Sequence, residues 1–191
     1  QNENWSYNWS GYCAIDGYTY VPNDNFEQAL IDLGYDDVID NYVLTENINS
    51  VTELDVEDKG ISDLTGIEWF ASLITINCSY NNLSAIDVSS NQALAEINAR
   101  NNQISSIDVS NNPLLTHITL HNNEISSIDV SNNSLLVALG IAYNNLTSIN
   151  VDNNPELEVL HFLGNDVVNL DISSNSALDM LNAMGNNLFI I

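Results

Sequence analysis

Imidazole is the side chain best suited to proton transfer or metal binding near neutral pH, and this chain has three: His117, His121 and His161. On an extended strand, His117 and His121 stand about 13 Å apart, and His161 is about 10 Å away if it lies two strands across a sheet. Zinc–nitrogen bonds are about 2.1 Å long, so the three histidines cannot bind one metal ion. We therefore expect no metal site.

The rest of the sequence gives little support for catalysis. Its eight glycines form no phosphate-binding GxGxxG or GxxxxGK motif, and neither GxSxG nor HExxH is present. A catalytic triad needs a nucleophile and an orienting acid beside one histidine, and no spacing indicates them. The prediction is a protein that is not an enzyme and needs no cofactor.

A second possible site is a column of aspartates at one position of the repeat described below: Asp87, Asp108, Asp129 and Asp171. Strand spacing places neighbouring carboxylates about 5 Å apart, and Ca²⁺ prefers carboxylate oxygens. The EF-hand pattern is absent, however, and adjacent Ser residues can satisfy single carboxylates. We interpret the column as a solvated acidic face, with weak calcium binding as the alternative.

Charge excludes two classes of partner. The chain has 26 acidic residues against two basic ones, Lys59 and Arg100, and a net charge of −24. A surface that neutralises phosphates needs many Lys and Arg, so nucleic acid and anionic membranes are excluded.

The longest apolar run has nine residues, from Leu135 to Tyr143, well short of the roughly 20 that span a membrane. No signal peptide is visible, and a start at Gln1 without an initiator Met suits either an exported form from which one was removed or a chain trimmed from a longer one.

The elements that position these residues are set by a repeat of 21 residues. Taking Leu73 as position 1, the apolar columns stand at positions 1, 4, 6, 11, 14 and 16, and Asn recurs at positions 9 and 19. The position 9 column is Asn81, Asn102, Asn123, Asn144, Asn165 and Asn186. Positions 4 and 6 have the period of a short strand with one buried face, and stacking such units makes a continuous core.

Asn at every turn can bond freed backbone groups of its own and adjacent coils, so we read both Asn columns as structural ladders. Cys78 stands in a core column, which favours a buried free thiol. A Cys13–Cys78 disulfide remains the alternative.

The pattern LxxLxLxxNxL, present in every copy from Leu73 onward, resembles the leucine-rich repeat. The segment Ile61–Phe70 looks like the first repeat of internalin-type bacterial proteins, and the segment Ile107–Asn112 is similar to secreted adhesin-like repeats of Bacteroidota. The resemblance implies an α/β solenoid: a right-handed superhelix with a parallel β-sheet on its concave face. It also implies a secreted or cell-surface setting.

Two domains are predicted. Residues 1–50 read as an N-terminal cap with one helix, capped by Asn23 or Asp24 and ended by Gly34, whose apolar face is Phe26, Leu30, Ile31 and Leu33. Residues 51–191 read as the repeat array, with one degenerate repeat and about six regular ones. The array stops at Ile191 without a polar capping repeat, so we expect it to be incomplete at its C-terminus, or else to dimerise through its open edge.

Strand positions 3, 5 and 7 point away from the core onto the concave face. That face begins acidic, carries Arg100 and the histidines in its middle, and then becomes small and apolar, with a floor of Ala138, Gly140 and Ala142 beside exposed Val, Leu and Met. We read it as a recognition surface, because exposed apolar side chains on a strand face mark interaction sites. The alternative is that a further C-terminal part of the protein covers this patch. The predicted ligand-binding residues are Arg100, His117, His121, Tyr143, His161, Leu163, Met180 and Met184.

The function expected from this face is binding of a protein or peptide, in adhesion or interaction. A polysaccharide is the first alternative ligand, with Trp5, Trp9, Tyr80 and Tyr143 as possible stacking platforms. A structural spacer within a larger surface protein is the second alternative. The sequence does not fix the oligomeric state.

Overall fold

The computed structural model describes the backbone of residues 5–7 and 13–189, and side chains from residue 16 to residue 189. Two antiparallel pairs of strands and two helices precede the repeats. These elements are β1 (Trp5–Tyr7), β2 (Cys13–Ile15), β3 (Tyr18–Tyr20), α1 (Asp24–Asp32), β4 (Tyr42–Leu44) and α2 (Thr45–Ile48). The four-residue helix α2 was not predicted. The side chains of Trp5, Trp9 and Cys13, and residues 190–191, lie outside the described part of the chain.

Helix α1 begins where Asn23 caps it, because the Asn23 side-chain oxygen accepts a hydrogen bond from the Phe26 N–H at 3.0 Å. Its predicted apolar face is wrong at one end. Leu33 is exposed because it follows the last helical turn, whereas Glu27 is fully buried. Burial raises the pKa of Glu27, and its Oε1 accepts the N–H groups of Asp40 and Tyr42 at 2.9 and 3.1 Å.

The repeats form one parallel sheet of seven strands, arranged in sequence order without crossovers. The strands are β5 (Glu53–Asp55), β6 (Thr75–Asn77), β7 (Glu96–Asn98), β8 (His117–Thr119), β9 (Ala138–Gly140), β10 (Val159–His161) and β11 (Met180–Asn182). The middle residue of each strand from β5 to β10 is buried, as the position 4 column predicts. The predicted parallel solenoid is confirmed.

One hydrophobic core runs through both parts of the chain. At the junction, Phe26 of α1 stacks on Phe70 with ring centroids 6.4 Å apart, and both side chains are fully buried. The first coil is thereby shielded from water, as the end of a solenoid requires. Cys78 is a free thiol in this core, as predicted, and burial raises its pKa to about 12.

The Asn ladder at position 9 joins successive coils. Asn144 shows the pattern: its Oδ1 accepts the Ile125 N–H at 2.9 Å, and its Nδ2 donates to the carbonyls of Leu120, Ile141 and Ala142 at 2.9, 3.2 and 3.2 Å. Each such amide thus satisfies buried backbone groups in two coils. The structural reading of this column is correct.

The second Asn column, at position 19, is used differently. The Nδ2 of Asn133 donates to the carbonyls of Val109 and Asn112 at 3.1 and 2.9 Å, whereas its Oδ1 has no hydrogen-bond partner. The amide oxygens of the other members of the column are unpartnered in the same way: Asn91, Asn112, Asn154 and Asn175. These residues act as donors to carbonyls, which distinguishes them from the two-way ladder at position 9.

Candidate functional site on the exposed face of the sheet

The exposed sheet face consists of positions 3, 5 and 7 of the coils that carry β5 to β11. The strand register places His117 opposite Glu96 on β7 and opposite Ala138 on β9, and places His161 beside Gly140. All but one of the predicted ligand-binding residues stand at these positions, and Tyr143 follows at position 8. About four strand spacings, or roughly 19 Å, separate the coil of Arg100 from the coil of Met184.

Arg100 is engaged by its neighbours. Its Nη2 lies 3.6 Å from Glu57 Oε1, and its guanidinium carbon lies 5.1 Å from the centroid of the Tyr80 ring. Glu57 also accepts a hydrogen bond from Asn77 Nδ2 at 3.1 Å. Arg100 is therefore held at the acidic end of the face by an ion pair and a cation–π contact.

His121 has a structural contact that the sequence does not reveal. In several coils the backbone N–H at position 7 is bonded to an Asn side chain at position 5, as with Ser79 and Asn77 at 3.3 Å. Gly140 offers no such side chain, and the Ala142 N–H instead donates to His121 Nδ1 at 2.9 Å. The ring lies so close over Gly140 that an added Cβ would stand 2.7 Å from two ring atoms.

This contact sets the protonation state of His121. A nitrogen that accepts a backbone N–H cannot carry a proton, so the ring is neutral and its proton is on Nε2. Burial lowers the pKa of His121, and the nearby charges of His161 and Arg100 lower it further. His121 can therefore donate to a ligand only through Nε2.

We expect this state to appear as acid sensitivity. The folded pKa of His121 is below the unfolded value near 6.5, so its stabilising contribution is present above that value and is lost as pH falls through the folded pKa. The wild type should lose stability below about pH 6.5 by an amount that His121→Gln lacks, since Gln keeps an acceptor for the Ala142 N–H.

Urea denaturation at pH 8, 6.5 and 5.5 measures this difference, and ¹⁵N NMR of the imidazole reads the tautomer directly. A folded pKa for His121 at or above its ordinary value would contradict the prediction.

The predicted apolar floor is correct only in part. Ala142, at position 7, is only 2% exposed, and the His121 ring that accepts its N–H also lies over Gly140. Beyond it, the apolar side chains do reach solvent: Met180 is 51% exposed and Met184 is 76% exposed. Leu163 is partly buried, and Tyr143 in the preceding coil is 56% exposed. His117 is exposed, and its Nδ1 lies 2.9 Å from Thr116 Oγ1.

The aspartate column is engaged in its own turns. The Asp129 carboxylate accepts the Ser131 N–H at 2.9 Å, and hydrogen bonds from Ser131 hold the Asp129 pKa below its ordinary value. The same bonds recur at Asp87, Asp108 and Asp171. Among the described residues no group of three or more His, Cys, Asp or Glu side chains is placed to hold a metal ion. Weak calcium binding by the column stays the alternative to a solvated acidic face.

Part of this sequence is similar to a known protein. No protein-family profile matches the sequence. Internalin J of Listeria monocytogenes serotype 4b (strain F2365) is 31% identical over 72 residues, which are 38% of this chain and 8% of internalin J. This chain thus matches a small part of that protein. In the described residues no helix is long and apolar enough to cross a membrane.

Two solved structures share the fold. The functional domain of InlJ from Listeria monocytogenes matches 91% of this chain and 49% of its own, with a TM-score of 0.59 at 22% identity. The ectodomain of the plant receptor kinase GASSHO1/SCHENGEN3 from Arabidopsis thaliana, solved in complex with Casparian strip integrity factor 2, matches 74% of this chain and 19% of its own, with a TM-score of 0.69 at 23% identity. The sequence repeat, the parallel sheet and these likenesses together show that the chain has the fold of a leucine-rich-repeat solenoid.

Proposed function

We propose that this chain is a non-enzymatic binding module that recognises a protein or peptide through the exposed face of its sheet. The observation that carries the proposal is the exposure of Met180, Met184 and Tyr143 at the apolar end of the sheet face. Exposed apolar side chains rimmed by polar residues are typical of interaction sites, and Met adapts its shape to a partner.

The setting we propose is outside the cell, either secreted or at the cell surface. Similarity to internalin J and to a receptor ectodomain solved with its ligand supports both parts of the proposal. A rigid sheet then presents Arg100, His117, His121 and His161 as polar contacts, and Leu163 with the two Met residues as apolar contacts. The excess of acidic charge disfavours acidic partners.

The test is selection of nine-residue peptides from a random display library against this chain. We expect the selected peptides to lose at least about tenfold in affinity for a Leu163→Glu/Met184→Glu variant, since a buried apolar anchor contributes roughly 1.5 kcal/mol or more. The control is Ser126→Glu/Thr147→Glu, which adds the same charge at exposed residues outside the sheet face. Equal binding by wild type and the Leu163/Met184 variant would overturn the proposal.

A further inference from the structure

Two tyrosines stand in a backbone conformation that rarely accepts them. Tyr80 and Tyr143 occupy position 8 in coils three repeats apart, with φ of 56° and 55°. The other four residues of this column are Asn101, Asn122, Gly164 and Gly185, the residue types that tolerate left-handed φ. A bulky side chain in this region is strained, and such strain persists where the side chain has a use.

Tyr80 shows what a ring at this position can hold. Its backbone N–H donates to the Arg100 carbonyl at 2.9 Å, and the Arg100 guanidinium carbon lies 5.1 Å from its ring centroid. The Tyr143 N–H donates in the same way to the Leu163 carbonyl at 2.8 Å. Leu163 therefore stands where Arg100 stands in the earlier coil, so the repeat supplies no cation to the Tyr143 ring.

The remaining cation of the chain is also committed elsewhere. Lys59 Nζ lies 3.1 Å from Asp32 in the cap, and Arg100 is paired with Glu57. Because the sequence contains no other Lys or Arg, a guanidinium or ammonium side chain over Tyr143 has to come from another molecule.

The Tyr143 ring is supported on one side and open to solvent. A Cβ added at Gly164 would stand 2.7 Å from Tyr143 Cδ1 and 3.0 Å from Cε1, so the ring lies directly on the glycine backbone. Its side chain remains 56% exposed. Leu163 and Met184 stand at position 7 of the next two coils and can pack against the aliphatic stem of a long basic side chain.

Charge around the ring favours the same ligand. Position 10 of the repeat lies two residues after the position of Tyr143. The preceding coil carries Glu124 there and the following coil carries Asp166, and both residues are exposed. The whole chain has a net charge of −24, which attracts basic segments.

From these observations we propose that Tyr143 binds the guanidinium or ammonium group of an Arg or Lys side chain in a basic peptide ligand. The Tyr80–Arg100 contact is the internal precedent for this geometry. The inference rests on the proposed function, since it names the chemistry of the peptide that the exposed sheet face recognises.

A double-mutant cycle tests the inference with the peptides selected above. We expect Arg or Lys to be enriched in them, and we expect Tyr143→Leu to weaken a selected peptide about fivefold, as cation–π contacts at partly exposed sites do. Replacing the key Arg by neutral citrulline, or the key Lys by norleucine, should weaken wild-type binding similarly and add little in the Tyr143→Leu variant. Tyr143→Phe should retain binding.

The matched control is Tyr18→Leu, which makes the same change at an exposed tyrosine of the cap, outside the sheet face. It should leave peptide affinity within about twofold of wild type. The inference is overturned if the loss from citrulline or norleucine is equal in wild type and Tyr143→Leu, even where Leu163→Glu/Met184→Glu still abolishes binding and the proposed function stands. Selected peptides without basic residues, or a neutral oligosaccharide whose binding depends on Tyr143, would also overturn it. Selection of no peptide at all would count against both proposals.

Discussion

Replacing Asn144 by aspartate is expected to lower the free energy of unfolding at pH 7 by about 3–5 kcal/mol. The Asn144 amide accepts one backbone N–H and donates to three carbonyls in two coils, and its side chain is almost completely buried. A carboxylate has the same shape but donates no hydrogen bond, so it places a buried negative charge against carbonyl oxygens.

Asn145→Asp is the matched control for this change. Asn145 is the next residue, is exposed, and donates a single hydrogen bond to the Glu124 carbonyl at 3.2 Å. The Asn145→Asp substitution adds the same charge to the same coil, and we expect it to lower the free energy of unfolding by less than about 1 kcal/mol. Urea denaturation followed by circular dichroism measures both variants. Equal midpoints for the two would contradict a structural role for the position 9 ladder.

The second large effect is expected at the junction of cap and array. Phe26→Ala should lower stability by about 3–5 kcal/mol, because it removes a fully buried ring that stacks on Phe70. In a solenoid each coil contacts only its neighbours, so the damage should be local. We expect amide protection from hydrogen exchange to fall in α1, β5 and β6, and to change little in β9 and β10.

Trp69→Ala serves as the control for that variant. Trp69 is an aromatic residue beside Phe70, but its side chain is half exposed, so its removal leaves a smaller cavity. It should be tolerated with a loss of about 1 kcal/mol. A uniform loss of protection along the whole array after Phe26→Ala would show instead that cap and repeats unfold as one unit.

Much of the array could be predicted from the sequence because each coil repeats one physical solution. The apolar columns at positions 4 and 6 and the Asn column at position 9 recur every 21 residues, and strand, core and ladder follow from that period. The cap has no such repetition. The burial of Glu27 depends on a loop that folds back to bring the Asp40 and Tyr42 N–H groups to its carboxylate, which no local pattern indicates.

The candidate site was predictable in position but not in contacts. Strand periodicity places His121 on the exposed face, yet its bond to the Ala142 N–H exists only because the next strand has Gly140 at position 5. This contact could be predicted only by comparing the residues of neighbouring coils, because neither His121 nor Gly140 indicates it alone. The left-handed backbone of Tyr143 could also be predicted from a comparison of coils, since position 8 otherwise holds only Asn, Gly and another Tyr.

The sequence-ordered sheet has a consequence for how such a protein changes in length. Within the regular repeats, each kind of inter-coil bond joins residues a fixed number of positions apart, as with the 24 residues between Asn144 and Leu120 and between Asn165 and Ile141. A tandem duplication of 63 nucleotides therefore inserts a complete coil that bonds to both neighbours, whereas a duplication of 60 nucleotides misplaces the bonding partners across the insertion. Each added coil lengthens the stack by about 4.8 Å. The number of repeats therefore sets the length of the solenoid, and unequal recombination can change that number without altering the contacts between coils.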